Sequence, residues 1–192
     1  EELPFTAKEL LSLKSIFNKN TILEQGEATE GNVKSLVLKD FNILHFATHA
    51  EVSNTFDDFN EPFLVLTPPI ISNEKDDGLL TTSEISNLNL DAYLVILSAC
   101  DTGAKKNQYA SGFSGLISSF LLAGTNSVVA THWPVEDNAG YLIITETMKK
   151  FINSDLDFAE ALRITKIEFI KGKYKNNFKN PFFWASYIYV GL

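Results

Sequence analysis

The sequence predicts an α/β protein with a mostly parallel central sheet and helices on both faces of that sheet. Apolar runs that suit strands buried on both faces, such as residues 93–98, alternate along the chain with stretches of helical periodicity. This alternation is typical of parallel sheets, because the helices form the crossovers between strands. The chain has 192 residues, 45% of them hydrophobic and 21% charged, which is a globular balance. Its length suits one sizeable core, so we expect residues 1–192 to form a single domain.

The first half of the chain carries the signals of three helices and three strands. Thr6 with Glu9, and Thr81 with Glu84, have the spacing of a capping box, in which a helix begins at the threonine. Apolar residues at helical spacing, and apolar runs between polar stretches, indicate the other elements. The predicted elements are a helix from Thr6 to Asn18, a strand at 21–24, a helix at 29–38, strands at 42–48 and 62–66, and a helix after Thr81.

The second half continues the alternation. The apolar run 93–98 predicts a strand covered on both faces, and Gly124 is a suitable end for the helix that follows. The remaining predicted elements are a helix at 113–121, a strand at 127–130, helices at 141–151 and 157–170, and a last strand at 184–190 that is antiparallel or at an edge. Polar stretches at 51–61 and 67–78 predict loops.

The charge of the chain argues against a nucleic-acid-binding protein. The net charge is −8, whereas a surface that binds phosphates needs a basic excess. Lysines do cluster at 171–179, and we interpret that cluster as part of a solvated loop. The acidic balance is compatible with a basic peptide as substrate.

The sequence has one cysteine, Cys100, which excludes an internal disulfide and a multi-cysteine metal cage. A free thiol indicates a reducing compartment, so we expect a cytoplasmic protein. No run approaches the about 18 uninterrupted apolar residues of a membrane span, and residues 1–6 lack a signal-peptide pattern. We find no Gly-rich nucleotide fingerprint and no metal-ligand cluster in the sequence, and expect neither cofactor nor metal.

Residues capable of catalysis follow three of the predicted strands. His49 follows the strand at 42–48, Cys100 follows the strand at 93–98, and His132 follows the strand at 127–130. Open parallel sheets bind ligands beyond the carboxyl ends of their strands, so these side chains are expected at one edge. A thiol needs a neighbouring base to form thiolate, and histidine is suited to take and return that proton.

Spacing alone leaves alternatives open. A lone cysteine after an apolar strand is more often a buried filler than a nucleophile. His45 lies inside a strand, so we expect it to be packed and hydrogen-bonded. Spacing does not decide whether His49 or His132 is the base.

Four stretches, in order and with family-like spacing, resemble the motifs of the CHAT family of caspase-like proteins. They are HFATHA at 45–50, LSACDTG at 97–103, FLLAGTNSVVATHWPVED at 120–137, and NPFFWASYIYVG at 180–191. The resemblance covers nearly the whole chain. It implies a three-layer α/β/α sandwich of the caspase–haemoglobinase type and a cysteine endopeptidase.

The resemblance also implies which residues form the site. His49 matches the second histidine of the histidine motif and Cys100 matches the catalytic cysteine, which decides against His132 as the base. The oxyanion is then met by the backbone N–H groups of Cys100 and Ala50. Many relatives have glycine at the second of these positions, and alanine serves equally unless the backbone there requires a positive φ.

Substrate contacts are expected beside the third strand and after the cysteine. The segment that contains Thr131, His132 and Trp133 is expected to line the substrate cleft, although Trp133 would equally suit packing beneath a loop. Asp101, together with Asp137, would select Lys or Arg before the scissile bond, although Asp101 equally suits a turn cap. The loop 103–111 is interpreted either as a segment that orders on activation or as a surface connection.

The resemblance further implies partners and rival functions. CHAT domains usually follow TPR or other sensor modules, so we expect a regulatory TPR partner and an earlier strand upstream of Leu3. The main rival is a non-catalytic interaction module, and a weaker one is another thiol hydrolase or acyltransferase.

Overall fold

The structure is a computed structural model that describes residues 4–51, 61–71, 76–98 and 109–191, with the backbone alone described at 4–6 and 109–113. The described chain divides into two compact units. The helical unit comprises Glu1–Ile22 and Val135–Tyr187, and the sheet unit comprises Leu23–Pro134 and Ile188–Leu192.

The sheet unit is built on a four-stranded sheet with the strand order β1-β5-β6-β7. Its strands are β1 (Ile43–Phe46), β5 (Leu94–Leu97), β6 (Ser127–Thr131) and β7 (Tyr187–Gly191). β1 pairs with β5, and β5 pairs with β6, both in parallel. The prediction of an α/β protein with a mostly parallel sheet is therefore confirmed.

The two central strands are buried on both faces. Val95 and Leu97 of β5 join a hydrophobic cluster with Leu116 and Phe120 of helix α4 (Tyr109–Leu122). The residues that point to the opposite face are equally buried: Leu94, Ile96 and Val129. Burial on both faces explains why β5 reads as a continuous apolar run rather than an alternating one.

A second, antiparallel sheet follows β1 directly. It contains β2 (His49–Glu51), β3 (Phe63–Val65) and β4 (Leu79–Thr81) in the order β2-β3-β4. The predicted strand at 42–48 is therefore too long, because β1 ends at Phe46 and the chain changes sheet before His49. The apolar run alone does not show this change, since both sheets bury the same residue types.

Local capping explains where the helices of the sheet unit begin. Helix α3 (Thr82–Ser86) has the predicted capping box: the Thr81 side chain accepts from Glu84 N, and the Glu84 carboxylate accepts from Thr81 N at 3.0 Å. Helix α2 (Glu30–Ser35) begins after Thr29, whose side chain accepts a hydrogen bond from Asn32 N. α2 ends three residues earlier than predicted.

The helical unit contains α1 (Pro4–Ile16), α5 (Asp137–Asn153) and α6 (Phe158–Ile170), with α5 packed against both α1 and α6. Asp157 caps α6 as its sequence position predicts, accepting from Glu160 N at 2.7 Å. The predicted start of α1 at Thr6 is wrong: the helix begins at Pro4, whose fixed φ suits a first helical turn.

Three further predicted elements differ from the structure. Residues 21–24 form no strand, because no ladder partner in the described chain pairs with them. The last strand begins at Tyr187 rather than at 184, because Asn180 and Pro181 start a short 3₁₀ helix, Pro181–Phe183. The loop predicted at 103–111 extends too far, since α4 begins at Tyr109.

The single domain and the three-layer arrangement stay predictions, because both concern how the two units are arranged relative to each other. In the part of the chain that the structure describes, no helix is both long enough and apolar enough to cross a membrane.

Gly124 ends α4 in a conformation that excludes a side chain. Its φ is +111°, and a Cβ there would lie 2.4 Å from the carbonyl oxygen of Leu90. We expect Gly124→Ala to lower the free energy of unfolding by about 2–4 kcal/mol, because it adds backbone strain to a clash with backbone. Gly26→Ala, where a Cβ meets nothing within 4 Å, is the control and should change stability little. Urea unfolding measures both, and equal effects would contradict this account.

A single carboxylate links α5 to the chain that follows α6. Glu168 forms ion pairs with Lys150 at 2.8 Å and Lys173 at 2.7 Å, and it accepts the hydroxyl of Tyr174. Burial opposes its ionisation, but the hydrogen bonds from these three groups lower the pKa of Glu168 to about 2.

A carboxylate with a depressed pKa stabilises the fold above its unfolded pKa, and that stability is lost as the pH falls through the folded value. We expect Glu168→Gln to cost about 1 kcal/mol of unfolding free energy at neutral pH, given the solvent screening of these ion pairs. The difference should persist down to about pH 4.3, the unfolded value of glutamate, and vanish as the pH approaches 2. Urea unfolding of the wild type and of Glu168→Gln at pH values between these two limits measures the difference in stability. Asp155→Asn, which changes an exposed carboxylate, is the control. A difference that stays constant with pH would refute the proposed ionic role.

Candidate active site

The carboxyl ends of the three parallel strands lie at one edge of the sheet. β5 lies between β1 and β6, and all three run in the same direction, so their carboxyl ends share that edge. The ladder continues past β5, because Ser98 N donates to Phe46 O at 2.9 Å. The sequence argument for a shared edge is thus confirmed for the strands themselves.

His45 is held inside the sheet. It pairs in register with Ile96, and its Nε2 lies 3.0 Å from the hydroxyl oxygen of Ser98. This agrees with the expectation of a packed, hydrogen-bonded histidine. Ser98 itself was not singled out from the sequence, although its position directly after β5 places a hydroxyl at the same edge.

His49 is positioned by the antiparallel sheet. It is the first residue of β2 and pairs with Val65, while the preceding Thr48 hydroxyl donates to the Val65 carbonyl. The ring is partly buried, and its Nδ1 is buried without a hydrogen-bond partner among the described residues. A base needs a nitrogen that is free of structural hydrogen bonds, and this ring nitrogen meets that requirement within the described chain.

Ala50 lies in the middle of β2, opposite Leu64, and is fully buried. Among the described non-glycine residues, Gln25 is the one with a positive φ, so Ala50 has an ordinary strand conformation. The alanine in place of the family's frequent glycine therefore causes no backbone strain.

The residues expected to line the cleft beside β6 differ in how exposed they are. Thr131, the last residue of β6, is 2% exposed, and its hydroxyl oxygen is buried without a hydrogen-bond partner in the described chain. His132 is exposed and Trp133 is half-buried. A substrate beside β6 would therefore meet His132 and Trp133 before Thr131.

The remaining predicted positions are Cys100, Asp101 and Asp137. Cys100 and Asp101 lie outside the described residues, as does most of the loop at 103–111. Asp137 belongs to the helical unit, where it is the first residue of α5, next to Glu136, whose side chain caps that helix. A carboxylate at this position interacts favourably with the helix N-terminus, which is a sufficient structural role.

Among the described residues, no group of three or more His, Cys, Asp or Glu side chains could hold a metal ion. The described edge therefore offers imidazoles, a serine hydroxyl and backbone groups. This set suits proton transfer and hydrogen bonding to a peptide.

The sheet unit also contains a buried charge cluster that the sequence did not reveal. Glu30 is fully buried and accepts from the backbone N–H groups of Asp77 at 3.0 Å and Gly78 at 3.3 Å. Lys34 joins it to Glu84, with a distance of 2.8 Å between Lys34 Nζ and Glu84 Oε1. Burial raises the pKa of Glu30. Burial opposes ionisation of Glu84 too, but Lys34 and Thr81 lower the pKa of Glu84.

A shallow cleft of about 460 Å³ opens beside this cluster. None of the predicted site residues lines the cleft, which is bordered by Lys34, Leu36, Val37, Leu38, Lys39, Glu84, Asn87, Leu88 and Asn89. The internal pairing of Lys34 with two carboxylates explains the cluster as an anchor between α2, α3 and residues 77–78, and we assign it no ligand.

The fold and the edge residues define an α/β protein with a mostly parallel sheet whose strand ends carry histidines. The CHAT domain family matches residues 1–192, so this chain belongs to the CHAT domain family, a caspase-like family related to peptidases. The human protein Tetratricopeptide repeat protein 28 is similar to it, with 22% identity over 221 residues. That alignment covers 100% of this chain and 8% of the human protein, so the chain spans a small part of its relative's length.

The contact between His45 and Ser98 can be tested by removing the hydroxyl. We expect Ser98→Ala to lower the free energy of unfolding by about 1–2 kcal/mol, because the mutation leaves a buried imidazole nitrogen without this partner. Ser98→Thr retains the hydroxyl on a strand-compatible residue and should retain most of the stability. Thermal and urea unfolding of both variants decide the point, and equal losses would mean that the hydrogen bond contributes nothing.

Proposed function

We propose that this chain is a caspase-like cysteine endopeptidase in which Cys100 is the nucleophile and His49 is the general base. The observation that carries the proposal is the register between β1 and β5. Each paired residue of β1 faces the residue fifty-one positions later, from Ile43 and Leu94 to Phe46 and Leu97. His49 and Cys100 each follow the end of that ladder by three positions along the chain, after Phe46 in one case and after Leu97 in the other.

Chain length supports this pairing independently. Ser98 N is bonded to Phe46 O, so the two chains still lie side by side at that point. Cys100 follows two residues later and is therefore within about 7 Å of Ser98, measured between Cα atoms. His49 likewise follows Phe46 by three residues, so both proposed residues are close along the chain to the point where β1 and β5 still lie side by side.

The described contacts favour His49 over the other two histidines as the base. The Nε2 atom of His45 is in contact with Ser98 inside the sheet, and His132 is exposed after β6. His45 and His49 are both partly buried, and each has a buried Nδ1 atom without a hydrogen bond among the described residues, so the contact between His45 Nε2 and Ser98 is what favours His49 over His45.

The proposed reaction proceeds in two halves. The imidazole of His49 takes the proton of the Cys100 thiol, and the thiolate attacks the scissile carbonyl carbon, forming a C–S bond. The C–N bond breaks as the imidazolium gives its proton to the leaving amine. In the second half, His49 takes a proton from water, the resulting hydroxide attacks the thioester, and the C–S bond breaks to regenerate the thiolate.

The burial of Ala50 supports a gated enzyme. The proposed oxyanion donors are the N–H groups of Ala50 and Cys100, yet Ala50 is fully buried. Access to its N–H therefore requires the covering chain to shift when substrate binds. We propose that a sensor module of a longer protein controls this shift, and the similarity to a human protein named for tetratricopeptide repeats supports TPR repeats as that module.

The proposal includes substrate preference and location. His132 and Trp133 line the cleft in this account, with Thr131 behind them, and the carboxylates of Asp101 and Asp137 select a Lys or Arg residue before the scissile bond. The excess of acidic residues, with a net charge of −8, supports a basic peptide. A catalytic thiol must stay reduced, so we place the protein in a reducing compartment such as the cytoplasm.

Alkylation of the thiol tests the dyad without a known substrate or trigger. Cys100 is the one cysteine of the chain, so iodoacetamide reports on a single site. If His49 activates the thiol, the alkylation rate of the wild type at pH 6.5 should exceed that of His49→Asn by at least about tenfold, because a free thiol is almost fully protonated there. The rates are followed by intact-protein mass spectrometry, and His132→Asn serves as the matched control.

Peptide cleavage tests the reaction itself. A peptide library incubated with the chain, alone and joined to a TPR module as proposed above, should yield products that Cys100→Ala reduces by about a thousandfold. Cleavage that Cys100→Ala leaves unchanged would refute the dyad. An unreactive thiol together with absent cleavage would favour the rival function, a non-catalytic interaction module, and loss of thiol activation in His132→Asn rather than His49→Asn would reassign the base.

A further inference from the structure

Basic residues are concentrated at one end of the chain. Residues 169–192 contain four lysines and no acidic residue, whereas the remainder contains twelve basic and twenty-four acidic residues. The four are Lys171, Lys173, Lys175 and Lys179. The sequence interpretation of this cluster as part of a solvated loop agrees with the exposure of all four lysines.

Stacked aromatic rings order this segment in the structure. Phe169, at the end of α6, contacts Tyr174 with 4.7 Å between ring centroids and stacks on Phe178 at 5.9 Å. Phe178 continues to Phe183 at 4.9 Å, and Phe183 meets Phe182 edge-on at 5.7 Å. Phe169 and Phe178 are almost fully buried, so this aromatic row forms a small core of its own beneath the lysines.

The same core positions the lysine side chains. Lys173 is paired with Glu168, and Lys175 lies over the ring of Phe178 at 4.9 Å from its centroid. The stem of Lys179 crosses Gly172, where a Cβ would lie 2.3 Å from Lys179 Cε. These contacts reduce the rotamer entropy that binding would otherwise cost.

An exposed apolar residue completes the surface. Phe182 is 51% exposed at the end of the aromatic row, although its ring is in contact with Phe183. The helix C-terminus of α6 explains a cation at Lys171 or Lys173, but Lys175 and Lys179 lie beyond its last turn. We define the lysine surface as Lys171, Lys175, Lys179 and Phe182, and leave out Lys173 because its ammonium group is already paired with Glu168.

We propose that the lysine surface docks an acidic linear segment of a partner protein, whose carboxylates meet the ammonium groups and whose apolar side chain packs on Phe182. Complementary charge gives such a contact its specificity and its rate of association, and an aromatic anchor gives it buried apolar area. This site is independent of the proposed peptidase chemistry, because it involves none of its residues.

The distribution of charge favours a short acidic segment over other anionic partners. A nucleic acid or an anionic membrane is extended, and it would also face the remainder of the chain, which has twice as many acidic as basic residues. A stable dimer would need about twenty to thirty residues on each side, whereas the lysine surface lies within the twelve residues 171–182. A linear segment needs only the surface itself.

Fluorescence anisotropy of the full chain tests the proposal. The probe is a fluorescein-labelled peptide of about twelve residues, mostly glutamate with a central Leu-Phe pair, at low salt where surface charges are least screened. The key variant is Lys171→Glu/Lys175→Glu/Lys179→Glu. Its matched control, Lys14→Glu/Lys19→Glu/Lys39→Glu, changes three exposed lysines elsewhere and alters the net charge equally. The variant Lys171→Gln/Lys175→Gln/Lys179→Gln removes the same three charges without reversing them. Circular dichroism confirms that each variant is folded.

We expect saturable binding that becomes weaker as the salt concentration rises. The key variant should weaken this binding by at least about tenfold, whereas the control variant should bind the peptide as the wild type does. The Lys→Gln variant should be intermediate, Phe182→Ser should weaken binding, and a peptide with glutamine for glutamate should not bind.

Absent binding, equal losses in the two triple variants, or equal binding of the glutamine peptide would overturn the proposal. So would tighter, lysine-dependent binding of a single-stranded DNA oligonucleotide or of phosphatidylserine vesicles, which would assign the surface to those ligands. Sedimentation showing a dimer that the key variant abolishes would assign it to a second copy of this chain.

Discussion

The parallel ladder of β1, β5 and β6 is the constraint on which the rest of the structure depends. Parallel strands must run in one direction, so every chain segment that leaves β1, β5 or β6 begins at the same edge of the sheet. Central strands buried on both faces also resist slippage, because a shift of one residue would exchange the two sets of buried side chains. The ladder therefore determines both which residues meet and the register in which they meet.

The two histidines of the HFATHA stretch show how much a change of sheet matters. His45 is still within β1, where its ring faces the end of β5 and contacts Ser98. Four residues later, His49 belongs to β2 and is held by β3 through Val65. Thr48 marks the change, since its hydroxyl donates to the Val65 carbonyl and ties the turn to the antiparallel sheet. One short stretch thus supplies a histidine that contacts Ser98 within the parallel sheet and another that is held by the antiparallel sheet.

Buried charge is used in this chain mainly to hold irregular segments in place. Glu30 joins α2 to the backbone at 77–78, and Lys34 extends that link to α3 through Glu84. Glu168 does the same for α5 and the chain after α6, through Lys150 and Lys173. In each case one carboxylate satisfies several donors, which lowers the cost of burying it. Such anchors explain how segments without regular secondary structure keep defined positions beside helices.

The sequence by itself determined the class of the fold, the family and the order of most elements, because these depend on local patterns. The apolar run at 93–98, the capping pair Thr81 and Glu84, and Gly124 at the end of α4 each act within a few residues. The motifs likewise identified the CHAT family from short stretches in order.

Only the tertiary structure decided which strand each histidine belongs to, that Ser98 contacts His45, and that the lysines after α6 rest on an aromatic core. It also decided that residues 21–24 are not a strand, since a strand exists through its ladder partner. These features arise between residues far apart along the chain, and hydrophobic periodicity contains no information about which distant segment supplies the contact.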